Sequence, residues 1–161
     1  MRPFVVKFEQ LSHGGHDFNF TVDKQIFETN EEVLDAKFKV ELNLYKTGNM
    51  MDMNFHFDGS FMLPCDRCNE AVWVSIEDDS KLVAKYGQPH HEDLDELIVL
   101  EDHEHELDLE QYFYETLSLF IPARRVHNEK DCNPDIIAKL EKSQDDDKGE
   151  TDPRWEKLKE I

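Results

Sequence analysis

The residues best suited to chemistry are Cys65 and Cys68, in the stretch "LPCDRCNE" that runs from Leu63 to Glu70. Two thiols at this spacing can aim both sulfurs at one metal ion, run thiol–disulfide exchange, or sit reduced in a tight turn. The motif lies between two runs that alternate apolar and polar residues, so the sequence places it in a knuckle joining strand to strand, the setting of a zinc site. A thioredoxin-type site would need the motif to open a helix, and the following "EAVWVSIED" reads as a strand instead. Arg67 could lower a thiol pKa, and it suits a metal site equally well. Two thiolates leave a tetrahedral structural site half filled. The best further ligands are His127 and Cys132 in "VHNEKDC", which would complete a set of three cysteines and one histidine suited to structural zinc. The spacing between this His and this Cys is common by chance, so on the residues alone the metal, inert-turn and redox readings all stay open.

The other reactive side chains point nowhere so specific. His90, His91, His103 and His105 stand in acidic stretches and read as solvated loop residues, and Met50, Met51 and Met53 read as core filler. The sequence has no identifiable acid/base pair, glycine-rich phosphate loop or nucleophile motif, so no catalytic residue and no enzymatic activity are expected. Arg124 and Arg125, with Lys130 nearby, form a compact basic spot. They are candidates for contact with RNA or a partner, or else an ordinary cationic pair after a helix C-terminus.

The elements that must position these residues are mostly strands. Arg2 to Leu11 and Asp17 to Val22 read as a hairpin turning at His13-Gly14-Gly15-His16. Phe38, Val40, Leu42 and Leu44 share one parity, and after a turn at Thr47-Gly48-Asn49 the inward row continues with Met53, Phe55, Phe57, Phe61 and Leu63. Gly59 interrupts that row and predicts a bulge or bend. Val72, Val74 and Ile76 alternate after the knuckle, the strand continues to Tyr86, and "LIVL" predicts one more short strand. Leu109, Tyr112, Phe113, Thr116, Leu117 and Phe120 then recur at helical spacing, with Asp108 and Gln111 at the positions of a capping box and Pro122 beyond the end. A second helix is expected from Pro134 to about Lys142, behind an Asn133 cap.

These pieces predict an α+β protein: an antiparallel β-rich domain, a small barrel or sandwich, with the CxxC knuckle between strands and one to three helices in the C-terminal half. The expected domain covers 1–140 with a packed helix over 108–121. The acidic run at 141–152 is expected to be a flexible linker, and 153–161 a docking segment anchored by Trp155, on the domain itself or on a partner.

Charge and length bound the partners. In 161 residues, 18 Lys+Arg against 37 Asp+Glu give a formal net charge of -19. Such a chain repels phosphate over most of its surface, which argues against DNA and against a broad nucleic-acid face, and leaves a basic protein or a local basic spot as the route to RNA. Three cysteines, an odd number, do not suggest a disulfide framework. The opening "MRPFVVKFEQ" fits no signal peptide, and no run approaches the ~18 apolar residues of a membrane span. A cytoplasmic protein with no membrane partner is expected.

In order, "LPCDRCNEAVWVSIE", an acidic stretch, "ELDLEQYFYETLSLFIPARRVHNEKDC" and a terminal "DPRWEKLKEI" resemble the YceD-like family, the large ribosomal RNA subunit accumulation proteins. The likeness runs from about Met53 to the end and rests most on Cys65, Arg67 and Cys68, on Asp108 and Leu109, and on Pro122, His127 and Cys132. Some members carry a second CxxC; this chain ends instead in a His and a Cys. The resemblance implies a non-catalytic protein needed for accumulation or maturation of large-subunit (23S-type) ribosomal RNA. It would act on a large-subunit precursor through ribosomal RNA, a ribosomal protein or both. The alternative from a different class is a thiol redox sensor or oxidoreductase on Cys65 and Cys68, with Cys132 as resolving thiol.

Overall fold

The computed structural model describes residues 3–87, 97–101 and 103–146. Among these residues, seven strands and two α-helices follow one another: β1 (Val5–Val6), β2 (Gly14–Asp23), β3 (Asp35–Thr47), β4 (Met50–Pro64), β5 (Ala71–Tyr86), β6 (Leu97–Leu100), β7 (Leu107–Asp108), α1 (Glu110–Leu119) and α2 (Pro134–Asp146). Strands β2 to β6 form one sheet in sequence order, antiparallel except for the last pair, β5 with β6, which is parallel. The short strands β1 and β7 pair separately. The antiparallel, β-rich α+β class and the position of the knuckle, between β4 and β5, are as the sequence predicts.

The period-two pattern decides which face is buried. On β3, Phe38, Val40, Leu42 and Leu44 point inward, and on β4 so do Met51, Met53, Phe55, Phe57, Phe61 and Leu63, each at most 2% exposed. Because β3 and β4 are paired without interruption, Leu42 stands opposite Phe55 and Val40 opposite Phe57, and one apolar surface results. Helix α1 covers it. Phe113, fully buried, meets the rings of Phe4, Phe20, Phe55 and Phe57 at centroid distances of 5.4, 5.5, 5.8 and 6.0 Å, all near edge-to-face. The β1–β7 ribbon completes this cover, with Val6 and Leu107 buried and the Leu109 N–H donating to the Phe4 carbonyl at 2.9 Å.

Four expectations need correction. The N-terminal hairpin does not form: Phe8–Gln10 is a 3-10 turn, Gly14 and Gly15 lie within β2, and β2 pairs with β3 instead. The reason is register, since only β3 offers β2 an unbroken partner from Gly14 opposite Lys46 to Asp23 opposite Lys37. Gly59 makes no bulge either. The ladders pass through it on both sides, Phe38 opposite Gly59 and Gly59 opposite Ile76, because the Phe38 ring occupies the space that a side chain would take. Helix α1 is shorter than 108–121. The N-cap is Leu109, which makes no side-chain cap bond; Asp108, one residue before it, accepts from the Glu110 N–H at 3.0 Å, and Gln111 reaches forward to Glu115 at 2.5 Å and closes no capping box. Helix α2 runs on through Asp146, into the stretch expected to be a linker, while 147–152 and the Trp155 segment lie outside the described residues.

Gly59 yields a sharp test. A Cβ there would lie 2.2 Å from the Lys37 carbonyl oxygen and 2.7 Å from the Phe38 Cα, both backbone atoms that the ladder holds in place. Gly59→Ala is therefore expected to destabilise the protein by about 1–3 kcal/mol, the range of an overpacked core, measured by urea unfolding. A variant as stable as the parent would show that β3 and β4 can separate here.

Candidate metal centre

The hairpin of β4 and β5 closes through Cys65 to Glu70. The Cys65 N–H donates to the Glu70 carbonyl at 2.8 Å and the Asn69 N–H to the Cys65 carbonyl at 2.8 Å, with Asn69 in the left-handed region at φ 59°. Asparagine is among the few side chains that tolerate that conformation. This tight loop brings the Cys65 and Cys68 side chains together. The chain that follows α1 crosses over them: Asp66 and Arg125 bond reciprocally, the Asp66 N–H to the Arg125 carbonyl at 2.7 Å and the Arg125 N–H to an Asp66 carboxylate oxygen at 2.6 Å. The Arg67 guanidinium donates to the His127 carbonyl. Asn133 then ties the third segment down, donating to Glu70 at 2.7 Å and accepting from the Asp135 N–H at 3.0 Å as the cap of α2.

These bonds gather the four predicted ligands. Donor atoms of Cys65, Cys68, His127 and Cys132 all lie within 4.8 Å of one another. Cys65 Sγ is 4.0 Å from Cys132 Sγ, Cys68 Sγ is 3.5 Å from His127 Nδ1, and Cys132 Sγ is 3.9 Å from His127 Nδ1. A tetrahedral ion with metal–sulfur bonds of about 2.3 Å and metal–nitrogen bonds of about 2.0–2.1 Å needs donor–donor edges of about 3.5–3.8 Å. The three separations of 3.5, 3.9 and 4.0 Å lie near these edges, within a cluster no more than 4.8 Å across.

The surroundings suit a cation. His127 Nε2 donates to the Ala71 carbonyl at 3.0 Å, which fixes the tautomer and leaves the Nδ1 lone pair facing the sulfurs, the usual arrangement behind a ligating imidazole. Burial pushes the Cys65 thiol up, but backbone N–H groups of Cys68, His127 and Arg67 donate to its sulfur and bring its pKa down to about 6. Backbone donors from Asn133 and Glu70 lower Cys68. Cys132 goes the other way, to about 11, raised by burial and by the neighbouring sulfurs of Cys68 and Cys65. Three sulfurs this close cannot all ionise unless a positive charge sits among them, and a metal ion supplies that charge. The three cysteines are buried, and Val72, Val126, Ile136 and Ile137 pack around them as an apolar shell separate from the main core.

The other candidates fall elsewhere. Arg125 is 16% exposed at its side chain and is engaged within the chain, Nη1 at 2.8 Å from Glu32 and Nε at 3.5 Å from Asp66. It serves the knuckle instead of a free basic spot. Arg124 is exposed. His103 and His105 are exposed and pair with Glu101 and Glu9, Met51 and Met53 are core, and His90, His91 and Trp155 lie outside the described residues. Sequence reasoning missed the parts played by Asp66, Glu70 and Ala71; it singled out Arg67 beside the thiols and Asn133 as the α2 cap, but not their bonds to His127 and Glu70. The one legible signal of the missed three was that they lie within three residues of a cysteine.

Cobalt(II) added to the reduced, metal-free protein is expected to give the visible absorption of a tetrahedral thiolate site, which zinc then displaces. Cys132→Ser and His127→Ala should each weaken that affinity by at least roughly tenfold, and the double change Cys65→Ser with Cys68→Ser should abolish it. Unchanged affinity in His127→Ala would remove His127 from the ligand set.

With this geometry in hand, comparison with curated proteins yields no match, and comparison with solved structures yields none. Comparison with protein families does match, over residues 53–161, a span that takes in most of β4, the knuckle and every proposed ligand. By that match the chain belongs to the family described as large ribosomal RNA subunit accumulation protein YceD.

Proposed function

We propose that this protein is a non-catalytic, cytoplasmic assembly factor for the large ribosomal subunit, in which zinc held by Cys65, Cys68, His127 and Cys132 staples the C-terminal segment to the β4–β5 hairpin. The family match carries the ribosomal part of this reading, since the family's description links it to accumulation of large-subunit ribosomal RNA. The charge decides the manner of contact. A chain at -19 meets bare RNA against electrostatic repulsion at any distance within the Debye length, whereas the basic ribosomal proteins attract it. The route to the precursor therefore runs through a ribosomal protein, with exposed Arg124 as the local contact for RNA backbone.

The structural role of the metal follows from the donor set. Four protein ligands close a tetrahedral shell, so no position stays open for water or substrate, as catalysis would need. A redox role is less well supported: the CxxC joins two strands and opens no helix, and its sulfurs already face a histidine and a third thiol.

The test is co-sedimentation. In a sucrose gradient of cell extract at moderate salt, the tagged full-length protein is expected in fractions carrying large-subunit precursors, and to shift to the top as salt is raised. Migration at the top under every growth condition would overturn the proposal. Crosslinking in the same extract should recover ribosomal proteins ahead of RNA. Stoichiometric zinc in the purified protein supports the staple, whereas metal-free protein with a reversible Cys65–Cys68 disulfide would favour the redox reading.

A further inference from the structure

Strand β5 pairs with β4 along its whole length but with β6 only from Val83 to Tyr86. Among the described residues, its other edge has no strand beside it before Val83. The direction of the backbone groups on that edge follows from two bonds: His127 Nε2 donates to the Ala71 carbonyl at 3.0 Å, and the Tyr112 hydroxyl to the Lys81 carbonyl at 3.4 Å. Both carbonyls point away from β4. The ladder between these two residues is unbroken, so the period of two turns the N–H and C=O groups of Trp73, Ser75 and Glu77 the same way, outward, and Asp79 likewise, although its N–H is already taken by the Asp78 carboxylate at 2.8 Å. Such an edge is a template for one more strand.

The side chains along the edge select what can pair with it. Glu77, Asp78 and Asp79 are consecutive and exposed. A second copy laid edge to edge would set this acidic run against itself, and like charges facing each other across a strand pair are destabilising. A strand carrying Lys or Arg gains where the copy loses. Val74 and Ile76 are partly buried on the inner side of the same edge and offer apolar contact to alternate residues of the incoming strand. At the other end, an open groove of about 620 Å³ lies between Val72–Ser75 and the crossing segment from Arg124 to Asn128. Exposed Arg124 opposes a cation there, so the basic residues of the partner belong beside Glu77 to Asp79 and neutral ones beside Trp73.

We propose that the free edge of β5, from Trp73 to Asp79, takes up an extended Lys/Arg-bearing segment of a partner protein as an added strand. Naming that partner as a ribosomal protein rests on the function proposed above; the strand addition itself does not.

The test uses the full-length, isotope-labelled protein and a synthetic peptide of alternating lysine and valine, with an alternating glutamate–valine peptide and oligouridine as controls. The lysine peptide is expected to protect the amides of Trp73, Ser75 and Glu77 from exchange, while those of Val74 and Ile76, already turned toward β4, and of Asp79, already bonded to Asp78, change little. Ser75→Pro removes one outward N–H without taking a bond from the β4 ladder, and should reduce peptide affinity at least tenfold at unchanged melting temperature. Should that variant unfold, Glu77→Lys with Asp79→Lys provides the second reading, with the same expected loss. Equal binding by the Ser75→Pro protein in its folded state, protection at other amides, stronger protection by oligouridine, or the same protection appearing on self-association would each overturn the proposal. Gradient sedimentation separates the two readings. If the wild-type protein co-sediments and folded Ser75→Pro does so equally, the edge is not the anchor and the assembly function stands; if the wild type fails to co-sediment, that function falls and the peptide titration still decides the edge.

Discussion

The meeting of four donor atoms from three chain segments is the constraint on which the C-terminal half of this protein depends. Cys65 and Cys68 come from the turn between β4 and β5, His127 from the segment after α1, and Cys132 from the residue before the cap of α2. Little else holds α2. It presents Ile136 and Ile137 to the thiols, and Leu140 on the same helix is 42% exposed. Burying a few such side chains contributes about 1.5–3 kcal/mol each, while ordering the 13 residues of the helix opposes folding by about 1–2 kcal/mol per residue. The apolar shell alone does not balance that cost, and a structural zinc ion at the proposed site, with an apparent binding free energy of about 10–16 kcal/mol, would.

The main core needs no such help. Its inward row crosses β3 and β4 without a gap and is sealed by Phe113, whose ring meets four others edge-on. The protein thus joins a sheet held by ordinary burial to a small annex in which four donor atoms and a few apolar side chains meet. The reciprocal Asp66–Arg125 bonds and the Arg67–His127 bond hold the annex so that the four donor atoms stand within 4.8 Å of one another.

Electrostatics organises the surface in the same economical way. Several of the few cations are used inside the fold: Arg125 between Glu32 and Asp66, Arg67 on a carbonyl, Lys46 on the carbonyls of Phe8 and Leu11. The acidic excess is left facing water, where it discourages phosphate and self-association and favours a basic partner. The exposed run Glu77 to Asp79 on β5 is the local form of this bias, on an edge that has no strand beside it there among the described residues.

By itself the sequence determined the strands from Phe38 to Tyr86, the face each would bury, the cap and start of α2 at Asn133 and Pro134, and the candidate ligands Cys65, Cys68, His127 and Cys132. Those are local properties, written in a period of two, in cap residues and in side-chain chemistry, so they survive without knowledge of the rest of the chain. It misjudged what depends on partners far along the chain. Gly14 and Gly15 looked like a turn until β3 gave them a neighbour, and Gly59 looked like a bulge until the Phe38 ring filled its place. Arg125 looked free until the chain folded Glu32 and Asp66 against it. Only tertiary structure could bring His127 onto the knuckle, because that is the approach of segments some sixty residues apart, a distance over which residue spacing carries no information; it also decided that, among the described residues, no strand stands beside β5 before Val83.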